Sequence, residues 1–390
     1  MATTAFDPSE GPLLDALKSG SASSGGAVIE TVSASAYTIP TEQHEADGTA
    51  SWDATTIVVV TVTAGGATGT GWTYGAPAIV RVVDDLLSPV VVGADAVAVP
   101  AIWAAMVAAV RNNTRAGLCG YAVSALDIAL WDLKARLLGC SLSQLWGPVR
   151  PSVPIYGSGG FTSFDADTLD EQLRTWVDEL HLPRVKIKIG ESWGHRIDRD
   201  VARVRQTRSR IGPDVELYVD ANGAYTPKQA VRLVTEAADA DVVWFEEPVS
   251  SEDLVGLRQV RDRVSADVAA GEYGYDLTYF ATMCAAGAVD CVQIDATRAG
   301  GYTEWHRIAA VAAGHQLQVS AHCAPNLHAH VGATTPNLRH LEYFSDHVRI
   351  EQLVFDNALT PEGGDLVPSR DLQGHGMTLR QERAAPYRVA

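Results

Sequence analysis

Long apolar runs are missing from this 390-residue chain, and no uncharged stretch approaches the roughly 20 residues that a membrane-spanning helix needs. Basic residues are also in short supply: 30 Lys and Arg face 47 Asp and Glu, a formal net charge of −17. That balance argues against nucleic acid and anionic membrane as partners. An anionic substrate must therefore be drawn in by local positive charge, from a metal or from lysines. Cysteine is sparse as well. Cys119, Cys140, Cys284, Cys291 and Cys323 are odd in number, scattered and without CxxC spacing, which disfavours a disulfide framework and fits a reducing cytoplasm. The first residues show no basic segment leading into an apolar stretch, so an unexported, cytoplasmic protein is expected.

What is present is a globular composition, 46% hydrophobic and 20% charged, in a chain longer than one core usually supports. A barrel of about 200 to 250 residues plus a smaller domain is the natural division. Residues 1–27 contain the Gly/Ser-rich run SGSASSGGA and are read as an extension outside the catalytic fold. From Val28 two β-rich runs flank a glycine-rich segment containing Gly69 and Gly71. No helix follows with GxGxxG spacing, so this segment is expected to be a hairpin turn and not a nucleotide loop. Helical three- and four-residue periodicity follows, and residues 28–150 are expected to form an α+β domain.

After Pro151 short apolar runs alternate with amphipathic stretches, the signature of βαβ units. The runs are VPIYGS, RVKIKIG, VELYVDAN, DVVWFEEP, DVAAGE, CVQIDAT, LQVSAHC and HLEYF. They predict an α/β fold, a closed (β/α)8 barrel over residues 151–350, with residues 351–390 returning to cover the first domain.

Catalytic groups of such barrels sit at the C-terminal ends of the strands. Here those ends are polar: Lys186 and Lys188, Asp220 and Asn222, Glu246 and Glu247, Glu272, Asp295, His322 and Glu342. Asp220, Glu246 and Glu272 end three consecutive strands and would repel one another without a cation. A set of hard oxygen ligands points to Mg2+. Lys186 and Lys188 share one face of their strand. Desolvation and like charge are expected to lower a lysine pKa there and so create a base. His322 and Asp295 on adjacent strands form a second acid/base, the carboxylate fixing the imidazole tautomer. A zinc site of Cys323 with His328 and His330 is set aside, because those histidines fall on a predicted helix and the acidic site already explains the region.

The ordered set KIK, DAN, EEP, GE, ID and AHC, spread from Lys186 to Cys323, resembles the enolase superfamily and within it the mandelate racemase subgroup. The resemblance runs from about Val28 to the C-terminus. A Lys or His base with Mg2+ is an established property of that superfamily. The resemblance implies an enolase-like barrel with an N-terminal capping domain. It makes Lys188 the base on one substrate face and Lys186 the lysine that contacts the substrate carboxylate and tunes Lys188. Asp220, Glu246 and Glu272 become the Mg2+ ligands, and His322 with Asp295 the acid/base on the opposite face. Glu342 matches a glutamate that bonds the substrate carboxylate, and Asn222 a residue that bonds the α-hydroxyl. The capping loop would be TEQHEADGTASWDAT, with His44 and Trp52 as substrate-facing candidates. The implied chemistry is removal of the proton α to a carboxylate with stabilisation of the enediolate. Dehydration of an acid sugar to a 2-keto-3-deoxy acid leads, with cycloisomerisation of an anhydro- or lactone sugar acid, or racemisation, as alternatives. A non-catalytic scaffold is disfavoured, since it needs no pair of opposed bases. The expected partner is a small carboxylate substrate, and homo-oligomers are expected from the family.

Overall fold

The computed structural model describes residues 26–390. Most of the Gly/Ser-rich extension therefore lies outside the described residues. Three antiparallel strands, β1 (Ile29–Ala46), β2 (Ser51–Ala64) and β3 (Ala67–Tyr74), form a meander in that order. The β-branched run of β2 supplies buried Ile57, Val58, Val59, Val60 and Val62 to the core, as expected for side chains that pack well on a pleated surface.

The hairpin turn is not where the sequence suggested. Gly65 and Gly66 make it, both with positive φ, while Gly69 and Gly71 lie inside β3 opposite Val62 and Val60. Their role is close packing against the helix Leu118–Leu137. A Cβ on Gly69 would sit 2.2 Å from the Ala129 carbonyl oxygen, and one on Gly71 2.2 Å from that of Ala125. Gly71→Ala is therefore expected to destabilise the fold by about 3 kcal/mol through overpacking. Chemical denaturation measures this, and an unchanged midpoint would mean that the helix can shift away.

That helix joins the two halves of the molecule. It is apolar on nearly all sides and lies between β3 and the helix Gly301–Gly314. Its buried Asp127 accepts bonds from the Thr303 amide (2.9 Å) and hydroxyl (2.6 Å) in the first turn of the latter helix, where a carboxylate meets unpaired N–H groups.

The barrel strands are β4 (Val153–Gly159), β5 (Arg184–Lys188), β6 (Glu216–Asp220), β7 (Val242–Glu246), β8 (Asp267–Ala270), β9 (Cys291–Ile294), β10 (Gln318–Ala321) and β11 (Leu338–Phe344). Each is parallel to the next, and β11 pairs with β4 to close the barrel. All eight lie on the runs read from the sequence. The strands' two-residue period stacks interior layers. Tyr156, Tyr218 and Trp244 pack together below, and Asp220 and Glu246, two residues further on, form a polar layer above.

The helix Ser345–Val354 crosses the expected division at residue 350. Beyond it, Asp365–Leu366 adds an antiparallel strand beside β4. The chain then returns to the first domain, where His375 Nε2 lies 2.8 Å from the Thr70 carbonyl oxygen and the Val389 amide donates to Ala36 at 2.8 Å. No helix among the described residues is long and apolar enough to cross a membrane.

Candidate active site

Strand register aligns three of the predicted residues: Lys188 pairs with Asp220 and Asp220 with Glu246. Glu272 follows just past the end of β8. Ligand oxygens of Asp220, Glu246 and Glu272 all lie within 4.8 Å of one another, and the three residues are buried. Lys186 Nζ bonds Glu246 and reaches Glu342 Oε1 at 2.7 Å. Lys188 Nζ lies 2.5 Å from Asp220 Oδ2.

The fold sets a carboxylate against each lysine. Burial alone favours loss of the Lys188 proton, but the Asp220 charge outweighs both burial and the like charge of Lys186, and the ammonium is held well above the usual lysine range. Burial likewise acts against Lys186, and Glu246 and Glu342 overcome it. The sequence places the two lysines side by side; only the fold brings a carboxylate against each.

Glu247 is a residue the sequence reading left without a role. It is buried with a positive φ of 38°, and its Oε1 has no hydrogen-bond partner among the described residues. The same holds for Glu272 Oε2. Burial and the neighbouring carboxylates push Glu246 and Glu247 well above the usual carboxylate range. Asp220, Glu246, Glu247, Glu272 and Glu342 thus outnumber the ammonium groups of Lys186 and Lys188, and two of their buried oxygens lack partners. An all-oxygen donor set with surplus negative charge fits a divalent hard cation such as Mg2+.

His322 stands at the other end of this triad. Its Nε2 lies 3.4 Å from Glu272 Oε2, whereas Lys188 adjoins Asp220. Its Nδ1 donates to Asp295 Oδ2 at 2.8 Å. Burial would raise the Asp295 carboxyl, but the bond and charge of His322, with Arg298 nearby, hold it well below the usual range. The Thr297 amide and hydroxyl each donate to Asp295 Oδ1 at 2.7 Å, which leaves Asp295 rigid and the ring orientation set. Arg298 is a second residue the sequence reading missed. The IDAT run that flagged Asp295 stops one residue short of it.

Glu342 accepts from the Ser158 hydroxyl (2.6 Å) and the Cys323 amide (2.8 Å) as well as from Lys186. Burial opposes its charge, yet Lys186 and His322 hold it well below the usual range. It is an acceptor throughout, so it can bond a substrate carboxylate only after taking up a proton. Asn222, at φ 45°, has an unpartnered buried Oδ1 and faces the same cavity.

That cavity measures about 410 Å³ and is lined by Lys188, Asn222, Glu272 and His322 below and by Trp52 from the first domain above. Trp52 donates to Glu45 Oε2 at 2.8 Å and packs edge-on to Phe161. His44 does not reach the cavity. It is exposed and bonded to Asp53 at 2.8 Å, because its position in β1 points it to solvent. His328 donates from Nδ1 to the Cys323 carbonyl and accepts at Nε2 from the Ala296 amide. Both of its nitrogens are committed, so it is no zinc ligand.

A closed barrel that sets a buried carboxylate triad between a lysine and a histidine, under an α+β cap, defines an enolase-type enzyme. Comparison with known proteins narrows the class. Residues 34–147 match the mandelate racemase / muconate lactonizing enzyme N-terminal domain, and residues 168–384 match the family described as enolase C-terminal domain-like. The chain belongs to the mandelate racemase / muconate lactonizing enzyme family of the enolase superfamily. It is 31% identical over 366 residues to 3,6-anhydro-alpha-L-galactonate cycloisomerase of Streptomyces coelicolor, covering 91% of this chain and 98% of that protein. A mandelate racemase/muconate lactonizing enzyme-like protein from Rubrobacter xylanophilus superposes with a TM-score of 0.89 at 46% identity, covering 93% of this chain and 100% of the other. L-talarate/galactarate dehydratase from Salmonella typhimurium, crystallised with Mg and L-lyxarohydroxamate, superposes with a TM-score of 0.86 at 26% identity, covering 94% of each chain. Magnesium in that neighbour accords with the cation chosen here from the donor set.

Proposed function

We propose that this enzyme removes the α-proton of an acid sugar and expels the β-hydroxyl as water, giving a 2-keto-3-deoxy acid. The observation that carries the reading is the placement of Lys188 and His322 at opposite ends of one carboxylate triad, both lining one cavity. Mg2+ held by Asp220, Glu246 and Glu272 would supply the positive charge that meets the substrate carboxylate and offsets the carboxylate charge now holding the proton on Lys188. Lys188 takes the α-proton through Nζ. Lys186, bridging Glu246 and Glu342, presents a fixed ammonium where negative charge develops. His322, its Nδ1–H held by Asp295, gives the proton on Nε2 to the departing hydroxyl. Asn222 offers its amide to the α-hydroxyl. The cap excludes water over the cavity mouth.

Cycloisomerisation of an anhydro- or lactone sugar acid is the second reading, favoured by the near full-length similarity to the Streptomyces coelicolor cycloisomerase. The first step is shared. In D2O with Mg2+, the enzyme is expected to exchange the α-hydrogen of its acid-sugar substrate, followed by NMR. A mass loss of water marks the dehydratase, and an isomer of equal mass marks the cycloisomerase. Absence of exchange and of product across a panel of sugar acids would overturn the proton-abstraction reading.

A further inference from the structure

The cavity has a floor and a roof of different chemistry. The floor is the cation site with Lys188 and His322. The roof, from the first domain and the helix after β11, presents Asp47, Thr55, Thr56 and Asp346. Among the described residues, the lysine and arginine that line this cavity are Lys188 and Arg298, and both belong to the floor. Arg298 is already engaged: its Nη1 donates to the Glu272 carbonyl at 3.1 Å and its Nε lies 3.4 Å from Asp295 Oδ2. His347, also on the lining, is buried and stacked on Tyr74 at 3.4 Å, and burial keeps its ring well below the usual histidine range.

Apart from Trp52, whose Nε1 is committed to Glu45, the roof polar groups are acceptors or hydroxyls. Asp47 Oδ1 takes bonds from the amides of Thr49 (2.6 Å) and Ala50 (2.7 Å), which fixes its carboxylate at the tip of the β1–β2 hairpin. Asp346 accepts from the Thr55 hydroxyl at 2.5 Å and from Arg349 at 2.6 Å, and buried Glu45 lies behind it. A second cavity of about 750 Å³ adjoins the first through Asn222 and Tyr273, and its charged lining is again acidic, from Glu247, Glu252 and Asp276. A substrate whose carboxylate is taken by the floor thus has its far end among apolar walls whose charged groups are carboxylates. Such a lining accepts hydrogen bonds from sugar hydroxyls and repels a second anion.

We propose that the substrate is a monocarboxylic acid sugar with a neutral hydroxyl at its far end, and that Asp47 on the roof discriminates against dicarboxylic sugars. This rests on the acid-sugar reading above and adds the substrate class. The test uses the full chain with Mg2+ and pairs of six-carbon aldonates and aldarates of matched configuration, with keto-acid formation and α-hydrogen exchange both followed. For the configuration that reacts, kcat/KM is expected to favour the aldonate by about a hundredfold or more. Asp47→Asn keeps the Oδ1 acceptor and removes the charge, so it should shrink that preference by about tenfold, chiefly through the aldarate KM. An aldarate used as well as or better than its aldonate, or a preference unmoved in Asp47→Asn, overturns the inference while leaving the proton-abstraction chemistry standing. No exchange from either class overturns the functional reading, and this inference with it.

Discussion

Glu246→Gln should lower kcat by about a thousandfold or more and weaken Mg2+ binding at least tenfold. The physical case is the crowding of the site. Glu246 is fully buried, its oxygens lie within 4.8 Å of those of Asp220 and Glu272, and it also holds Lys186. A neutral amide of the same shape retains an acceptor for Trp244 Nε1, now 3.1 Å from Glu246 Oε2, so the fold should survive. What disappears is one anionic ligand and one of the partners of a buried ammonium. Electrostatic stabilisation of the developing charge is usually the largest catalytic contribution, and the substitution removes its anchor. Titration calorimetry with Mg2+ alone reports the binding loss, and turnover against Mg2+ concentration reports the catalytic one. Wild-type rates in this variant, or in wild type with excess EDTA, would show that the carboxylate triad is not the cation site.

The second large effect separates the two proton transfers. His322→Asn is expected to keep α-hydrogen exchange in D2O within about tenfold of wild type while keto-acid formation falls by about 10² to 10⁴, the usual contribution of a general acid. Exchange survives because Lys188, beside Asp220 at the far end of the triad, removes the α-proton without help from His322. Asp295→Asn should give the same pattern more weakly, about 10- to 100-fold, because it only frees the ring that the 2.8 Å bond now orients. A cycloisomerase would show exchange and loss of its isomer product instead. Dehydration at the wild-type rate in His322→Asn would remove His322 as the acid.

Much of this site was readable in one dimension. A parallel strand's last residues face the mouth of a barrel wherever the strand falls, so KIK, DAN, EEP, GE, ID and AHC could be ordered around a ring from their spacing alone. The closed barrel was readable for the same reason: apolar runs of strand length alternating with amphipathic stretches admit few topologies. Less legible were features that depend on which partner a side chain finds. Gly69 and Gly71 look like turn glycines along the chain, and only the helix at Ala125–Ala129 reveals them as points of close approach. His44 and Trp52 stand in the same segment, yet β-strand alternation and packing on Phe161 send one to solvent and the other to the cavity.

The sequence by itself thus determined the barrel, its cap and the identity of the groups at the mouth, because strand period and strand-end position are local properties of the chain. The tertiary structure alone decided the company of those groups. Lys188 lies against Asp220, Glu342 is an acceptor for Lys186, and Glu247 and Arg298 join the cluster. It also decided the acidic roof over the cavity, with Asp47 and Asp346 nearly three hundred residues apart along the chain. The reason is that pairing energies in a buried site fall steeply with distance and rise as water is excluded, and both are set only when distant segments pack together.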